Sequence, residues 1–165
     1  MQYDAFVTRE RDSFVIDFPD APGCQTFAES PDEVSSMARE ALEGWLEAHL
    51  AERRVPARPA HRAAAPKGVT LIRVTVNSRL AAGLQVRWAR QDRDLSQKGL
   101  AELVGVTQQA IAKLEDPDAN PSLETLQRVA DALGLEVRLS LELPAVFEPR
   151  KAHPRRSTRR AAERR

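Results

Sequence analysis

The chemistry most legible in this sequence lies in a row of polar side chains between Leu95 and Glu115, in the stretch LSQKGLAELVGVTQQAIAKLE. Gln108 and Gln109 open a short apolar-periodic run, Thr107 precedes them, Lys113 follows, and Gln97 opens the run before. A glutamine amide carries a donor and an acceptor, so it matches the paired groups that adenine shows in the major groove. Lys113 can reach guanine or a phosphate, and Gln97 can hold the DNA backbone with help from the positive end of its helix. Gln97, Thr107, Gln108, Gln109 and Lys113 are therefore the candidate DNA-binding residues. A second set, Asp4, Asp17, Asp20 and Glu40, would suit metal-dependent hydrolysis of nucleic acid if its carboxylates converged on one strand end. Asp17, however, alternates with Phe18 and should face away from the core. The single cysteine, Cys24, excludes an internal disulfide and a cysteine metal cluster. It has no basic sequence neighbour to lower its pKa. No catalytic residue, cofactor or metal is expected, and the chain reads as a binding protein, not an enzyme.

Two short helices must position the polar row. Leu100, Leu103 and Val104 recur at helical spacing in the first, and Ile111 and Leu114 in the second. Ser96 and Thr107 stand where N-caps belong, and Gly105 sits where the chain needs a positive φ. The pair can share so tight a turn only if their apolar faces pack, which places Ala101, Val106, Ala110 and Ile111 inside. This is a helix-turn-helix pattern. A helix over Arg79–Gln91 should pack against it through Leu80, Leu84 and Trp88. Ser122 caps a further helix that carries Leu123, Leu126, Val129, Ala130 and Leu133 and ends at Gly134. Leu135–Leu143 then alternates as a strand with no partner nearby. It is expected to pair with its counterpart in a second copy, the competing arrangement being a fold back onto its own domain.

The 165 residues suffice for one domain or two small ones; 42% are hydrophobic and 30% charged, as in ordinary soluble proteins. The formal charge of +1 conceals an acidic first half and a basic remainder, a split that suits two different partners. No apolar run approaches the length of a membrane span and the start has no signal-peptide form, so a cytoplasmic protein is expected. Tyr3–Val7 and Ser13–Phe18 alternate as a β-hairpin, and Cys24–Phe27 reads as a third strand. Ser30, Pro31 and Glu33 open a helix that runs to about Arg53. Its stripe of Val34, Met37, Ala38, Ala41, Leu42, Trp45, Leu46 and Leu50 needs a sheet to cover. Residues 55–67 are rich in proline and alanine and read as an extended connection. Val69–Val76 is a fourth strand returning to the first sheet. Beyond Pro144 the chain is basic, lacks apolar periodicity and reads as a disordered tail. Phosphate binding and simple solvation are equally open for it.

Leu95–Glu115, above all VTQQAI at Val106–Ile111, resembles the lambdoid phage repressor and Cro family. The resemblance implies base contacts from Gln108, Gln109 and Lys113 and an anchoring role for Gln97. Gly99 departs from the family, which usually has a longer side chain there; glycine weakens the helix by ~1 kcal/mol. Phe18-Pro19-Asp20, Pro22-Gly23-Cys24, Ser30-Pro31-Asp32-Glu33, Ala38, Glu40-Ala41-Leu42 and Trp45-Leu46 resemble the N-terminal domain of HicB antitoxins. The Leu80-Ala81-Ala82-Gly83-Leu84 helix before a repressor-like segment resembles the subgroup that carries a helix-turn-helix.

The HicB resemblance implies an α+β chain. A partial ribonuclease-H-like β-β-β-α-β domain without nuclease function would occupy 1–76. An all-α helix-turn-helix domain ending in a strand would occupy 78–143, and the basic tail 144–165. It also implies a type II antitoxin that neutralises a HicA-type mRNA-cleaving toxin and represses its own operon by binding operator DNA as a homodimer or higher even oligomer. A basic toxin would be drawn to acidic side chains, for which Asp17, Asp20, Asp32, Glu33 and Glu40 are the candidates, backed by Asp4, Glu43 and Glu47. Two departures fall in loops. Arg11, Asp12 and Ser13 replace a glycine pair, and Ala28 and Glu29 stand where a glycine usually precedes the cap. The alternative is a stand-alone repressor-type regulator with an N-terminal sensing or interaction domain.

Overall fold

The computed structural model describes residues 1–52, 54–61 and 64–140. Strand β1 (Gln2–Glu10) turns back into β2 (Ser13–Asp17), and β3 (Gln25–Ala28) adds to the far side of β2. Strand β4 (Thr70–Thr75) returns along β1, giving an antiparallel sheet of order β3-β2-β1-β4. The register pairs Val7 with Ile16 and Ala5 with Ile72. Because side chains alternate across a strand, Tyr3, Ala5, Val7, Phe14, Ile16 and Val74 share one face, and all are buried.

That face is covered by α1 (Val34–Ala51). Ser30, Pro31 and Glu33 start it as expected, through a 3-10 turn at Pro31–Glu33, and Glu33 Oε2 accepts from the backbone N–H of Ser30 at 3.3 Å. Val34, Ala38, Leu42, Leu46 and Leu50 follow at helical spacing and are buried against the sheet. The proline- and alanine-bearing connection forms no helix over its described residues but is strapped down. Tyr3 Oη donates to Ala57 O at 2.8 Å, Trp88 Nε1 donates to Pro56 O at 3.0 Å, and Ala60 N–H donates to Asp20 Oδ2 at 2.9 Å. Burial, and then the Asp20 charge, raise the Tyr3 phenol well above its usual range, so Tyr3 remains a donor.

Helix α2 (Ser78–Gln91) belongs to two cores. Leu80, Ala81, Leu84 and Trp88 complete the sheet-and-helix core, whereas Val86 enters a second one. The sequence pattern placed Leu80, Leu84 and Trp88 against the reading helices. The structure corrects this, because the face they share meets α1 and the connection. The second core gathers α3 (Gln97–Val104), α4 (Gln108–Leu114) and α5 (Leu123–Ala132). It is built from Val86, Leu100, Ala101, Ile111, Leu114, Val129 and Leu133. Ala110 is exposed, against the expectation that it lies inside, and Leu103, which shares the apolar spacing of α3, is 54% exposed. Ile111 and Leu114 take the inward face of α4, and Ala110, one position earlier, is turned by about 100° from Ile111 around the helix.

The terminal segment finds no strand partner within the single chain over its described part. Gly134, at φ +65°, ends α5, and Leu135 N–H donates back to Ala130 O at 2.8 Å. Residues 135–140 join no sheet in the single chain. The physical reason is that a strand exists only where a neighbour exchanges its backbone hydrogen bonds, and none among the described residues lies alongside. Residues 141–143 and the basic tail lie outside the described residues.

Candidate nucleic-acid and partner interfaces

The candidate recognition helix, α4, is placed by its caps and by one buried carboxylate. Ser96 Oγ accepts from Gly99 N–H at 2.9 Å, so α3 starts where its sequence says it should. Gly105 closes α3 at φ +76°, in the left-handed region that glycine enters without a Cβ penalty. Thr107 Oγ1 accepts from Ala110 N–H at 3.1 Å and opens α4 two residues later. The chain thus reverses between two helices within a few residues and leaves the first turn of α4 pointing outward.

Glu115, at the C-terminal cap of α4, is fully buried. A negative charge at a helix C-terminus opposes the helix dipole, so the site needs cations. Arg90 supplies a fork, Nε to Oε1 at 2.6 Å and Nη2 to Oε2 at 2.9 Å. Arg87 Nε lies 3.4 Å from Oε2, and Arg87 Nη2 donates to the backbone carbonyl of Glu115 at 3.2 Å. Gln97 Nε2 completes the set, donating to Oε2 at 3.0 Å. One carboxylate therefore binds α2, the start of α3 and the end of α4 together. Gly83 allows the close approach: a Cβ there would sit 3.2 Å from Leu114 O.

Of the five DNA-binding candidates, Gln108, Gln109 and Lys113 are exposed on α4, and Gln109 and Lys113 share a face, being four residues apart. Neither glutamine side chain makes a hydrogen bond to another described residue. Thr107 is exposed, with its hydroxyl engaged in the cap. Gln97 is half-buried and commits an amide proton to Glu115, so it positions as well as presents. Sequence reasoning missed the Glu115 cluster. The only signal was a glutamate closing an otherwise apolar run, with two arginines three residues apart on α2.

The acidic candidates are not gathered on one face. Asp17 lies opposite Gln25 in the sheet register, on the face turned away from α1, and accepts from Gln25 Nε2 at 3.2 Å. Asp20 holds the connection through Ala60, and the Glu33 carboxylate is turned onto Ser30 and Glu29. Asp32 and Glu40 are exposed, Glu40 on the solvent side of α1. Asp4, expected on the acidic surface, is fully buried, with His61 Nδ1 and Arg73 Nε each 3.8 Å from Oδ1. Among the described residues no group of three or more His, Cys, Asp or Glu is placed to hold a metal ion. Burial, followed by the Asp17 charge, pushes the Cys24 thiol up to about 11. Among the described residues no helix is long and apolar enough to cross a membrane.

Comparison with known proteins follows the same division. Residues 3–67 match the family described as HicB-like antitoxin of bacterial toxin-antitoxin system, and residues 86–139 match the helix-turn-helix family. Antitoxin HicB 1 of Photorhabdus laumondii subsp. laumondii is 26% identical over 133 residues, covering 81% of this chain and 81% of that protein. An HTH-type transcriptional regulator of Methanothermobacter thermautotrophicus is 47% identical over 51 residues, 31% of this chain and 74% of its own length. A chain from a solved HicA3 and HicB3 toxin-antitoxin complex aligns with a TM-score of 0.42 at 25% identity, covering 47% of this chain and 99% of that one. The chain spans 40% or less of the length of the first curated relatives it matches. Residues 3–67 are thus similar to HicB-like antitoxins, and with a helix-turn-helix relative 47% identical and covered over 74% of its length, the chain belongs to the helix-turn-helix regulators.

Proposed function

We propose that this chain is the antitoxin of a type II toxin-antitoxin pair. Its first region binds and neutralises a small HicA-type RNA-cleaving toxin, and its helix-turn-helix represses the operon's own promoter. The observation that carries the reading is the match to a HicB antitoxin along both regions. The geometry adds the DNA half: two exposed amides on the first turn of a short helix whose far end is locked by Glu115. Gln108 and Gln109 read base edges, Lys113 reaches guanine or phosphate, and Thr107 and Gln97 set the entry of the helix and hold the backbone. A homodimer or higher even oligomer presents recognition helices to successive half-sites about one turn of DNA apart.

Residues 1–76 carry the toxin surface, with Asp17, Asp20, Asp32, Glu33 and Glu40 as its acidic candidates and 55–67 as the connection. Residues 78–143 carry the DNA surface. Neutralisation is steric, the first region covering the surface on which RNA must lie, and the complex forms in the cytoplasm. The chain itself catalyses nothing.

The test separates the two surfaces. Gln108→Ala with Gln109→Ala should abolish the promoter shift in a gel assay and leave rescue from the toxin intact. Loss of both abilities in a folded variant, or of neither, refutes the partition. A stand-alone regulator would instead fail to co-purify with the product of any neighbouring small gene.

A further inference from the structure

We infer that residues 135–139 of two copies pair as antiparallel strands about a two-fold axis through Val137. The inference deepens the dimer reading above and rests on it. Leu135, Val137 and Leu139 are 41%, 37% and 72% exposed and alternate along the chain. Glu136 and Arg138 alternate with them and form an ion pair, with their side chains 80% and 88% exposed. A segment with one apolar and one charged face is half of a sheet that the single chain does not build.

The occupant follows from charge and register. Directly opposed residues in an antiparallel pair lie on the same face, so the sum of their numbers must be even to set leucines against leucines. Centred on Val137, the pairing sets Leu135 against the partner's Leu139 and Glu136 against the partner's Arg138, twice over. Moving the axis to Arg138 sets two arginines face to face, and like charges directly opposite destabilise a sheet. The sequence is thus complementary to itself in this register.

Backbone hydrogen bonding agrees independently. Opposed residues alternate between hydrogen-bonded and non-hydrogen-bonded pairs. The N–H of Leu135 is already given to Ala130 O, so Leu135 must fall at a non-hydrogen-bonded position. Val137 then does too, and the two Glu136–Arg138 pairs carry the backbone bonds. At such a position the two Val137 Cα atoms lie ~4.5 Å apart, within disulfide reach. Two copies of Leu139, offset by four residues at ~3.4 Å each, are too far apart.

The test uses the full chain. Sedimentation equilibrium of Glu136→Arg and of Arg138→Glu should show the dimer dissociation constant raised about tenfold, and the double swap should restore it. In a Cys24→Ser background, Val137→Cys should cross-link on mild oxidation and Leu139→Cys should not. A monomeric wild-type chain, as a fold back of the strand would give, overturns the inference. Single swaps that leave the dimer unchanged, or cross-linking at Leu139→Cys and not at Val137→Cys, overturn it equally. A monomeric wild-type chain would also remove the dimer from the proposed function, whereas the swap and cross-linking readouts involve neither DNA nor toxin and so fail separately from toxin neutralisation and promoter binding.

Discussion

The two cores hold their helices by different means. The first is a sheet-on-helix core in which one long apolar stripe on α1 meets the alternating face of the strands, and its central members are fully buried. The second has far fewer buried apolar residues, spread over short helices. There a carboxylate held by Arg90, Arg87 and Gln97 does what area does in the first. Area is forgiving, because each residue adds a share. A buried charge is not, because its partners were chosen for it and removal leaves them stranded. Where the protein must aim a helix and not merely bury it, it uses directional bonds.

The sharpest way to break this contrast is Glu115→Ala. It should cost about 3–5 kcal/mol, the usual result of removing one member of a buried ion pair. It should also abolish DNA binding, although Glu115 does not reach the surface. Urea unfolding and a gel shift on the same sample check this. Leu46→Ala, the corresponding blow to the first core, should cost about 2–5 kcal/mol with no special effect on DNA affinity per folded molecule. Equal loss of DNA affinity in both variants would erase the distinction. Gly83→Ala tests the junction: its Cβ would press on Leu114 O, and overpacking of this kind costs about 1–3 kcal/mol. Arg11→Gly should work in the other direction. Arg11 sits at φ +52° in the first hairpin, and releasing that strain should raise stability by about 1 kcal/mol.

The smallest effect concerns Cys24. Its thiol moves from an ordinary 9.0 to about 11, so the folded state favours the protonated form. That contribution is fully present below pH 9 and is lost as pH rises through about 11. Alkylation of the native protein at pH 8 should therefore be much slower than that of the unfolded chain, as followed by mass spectrometry.

Much of the architecture was legible because local chemistry and fold agree. Ser30, Ser96, Thr107 and Ser122 cap the helices their positions announce, and the β1–β2 hairpin follows from alternation. The glycine pair missing from the HicB pattern reappears as a positive φ carried by Arg11. What stayed hidden depends on contacts distant in sequence. Nothing near Asp4 announces that it is buried, and nothing near Glu115 announces the arginines 25 and 28 residues earlier. The outward turn of Leu103 could not be read from period alone, since a helix of eight residues fits more than one apolar stripe. The spacing of Leu80, Leu84 and Trp88 marks one helix face, but the sequence does not say which neighbour that face meets.

Because α2 is a wall common to both rooms, the halves of this molecule cannot be traded between relatives like beads on a string. A cut at Val76 would strip Leu80, Ala81, Leu84 and Trp88 from the core that α1 and the sheet share. Any recombinant joining the front of one such protein to the back of another must take α2 whole and then refit the seam on its far side.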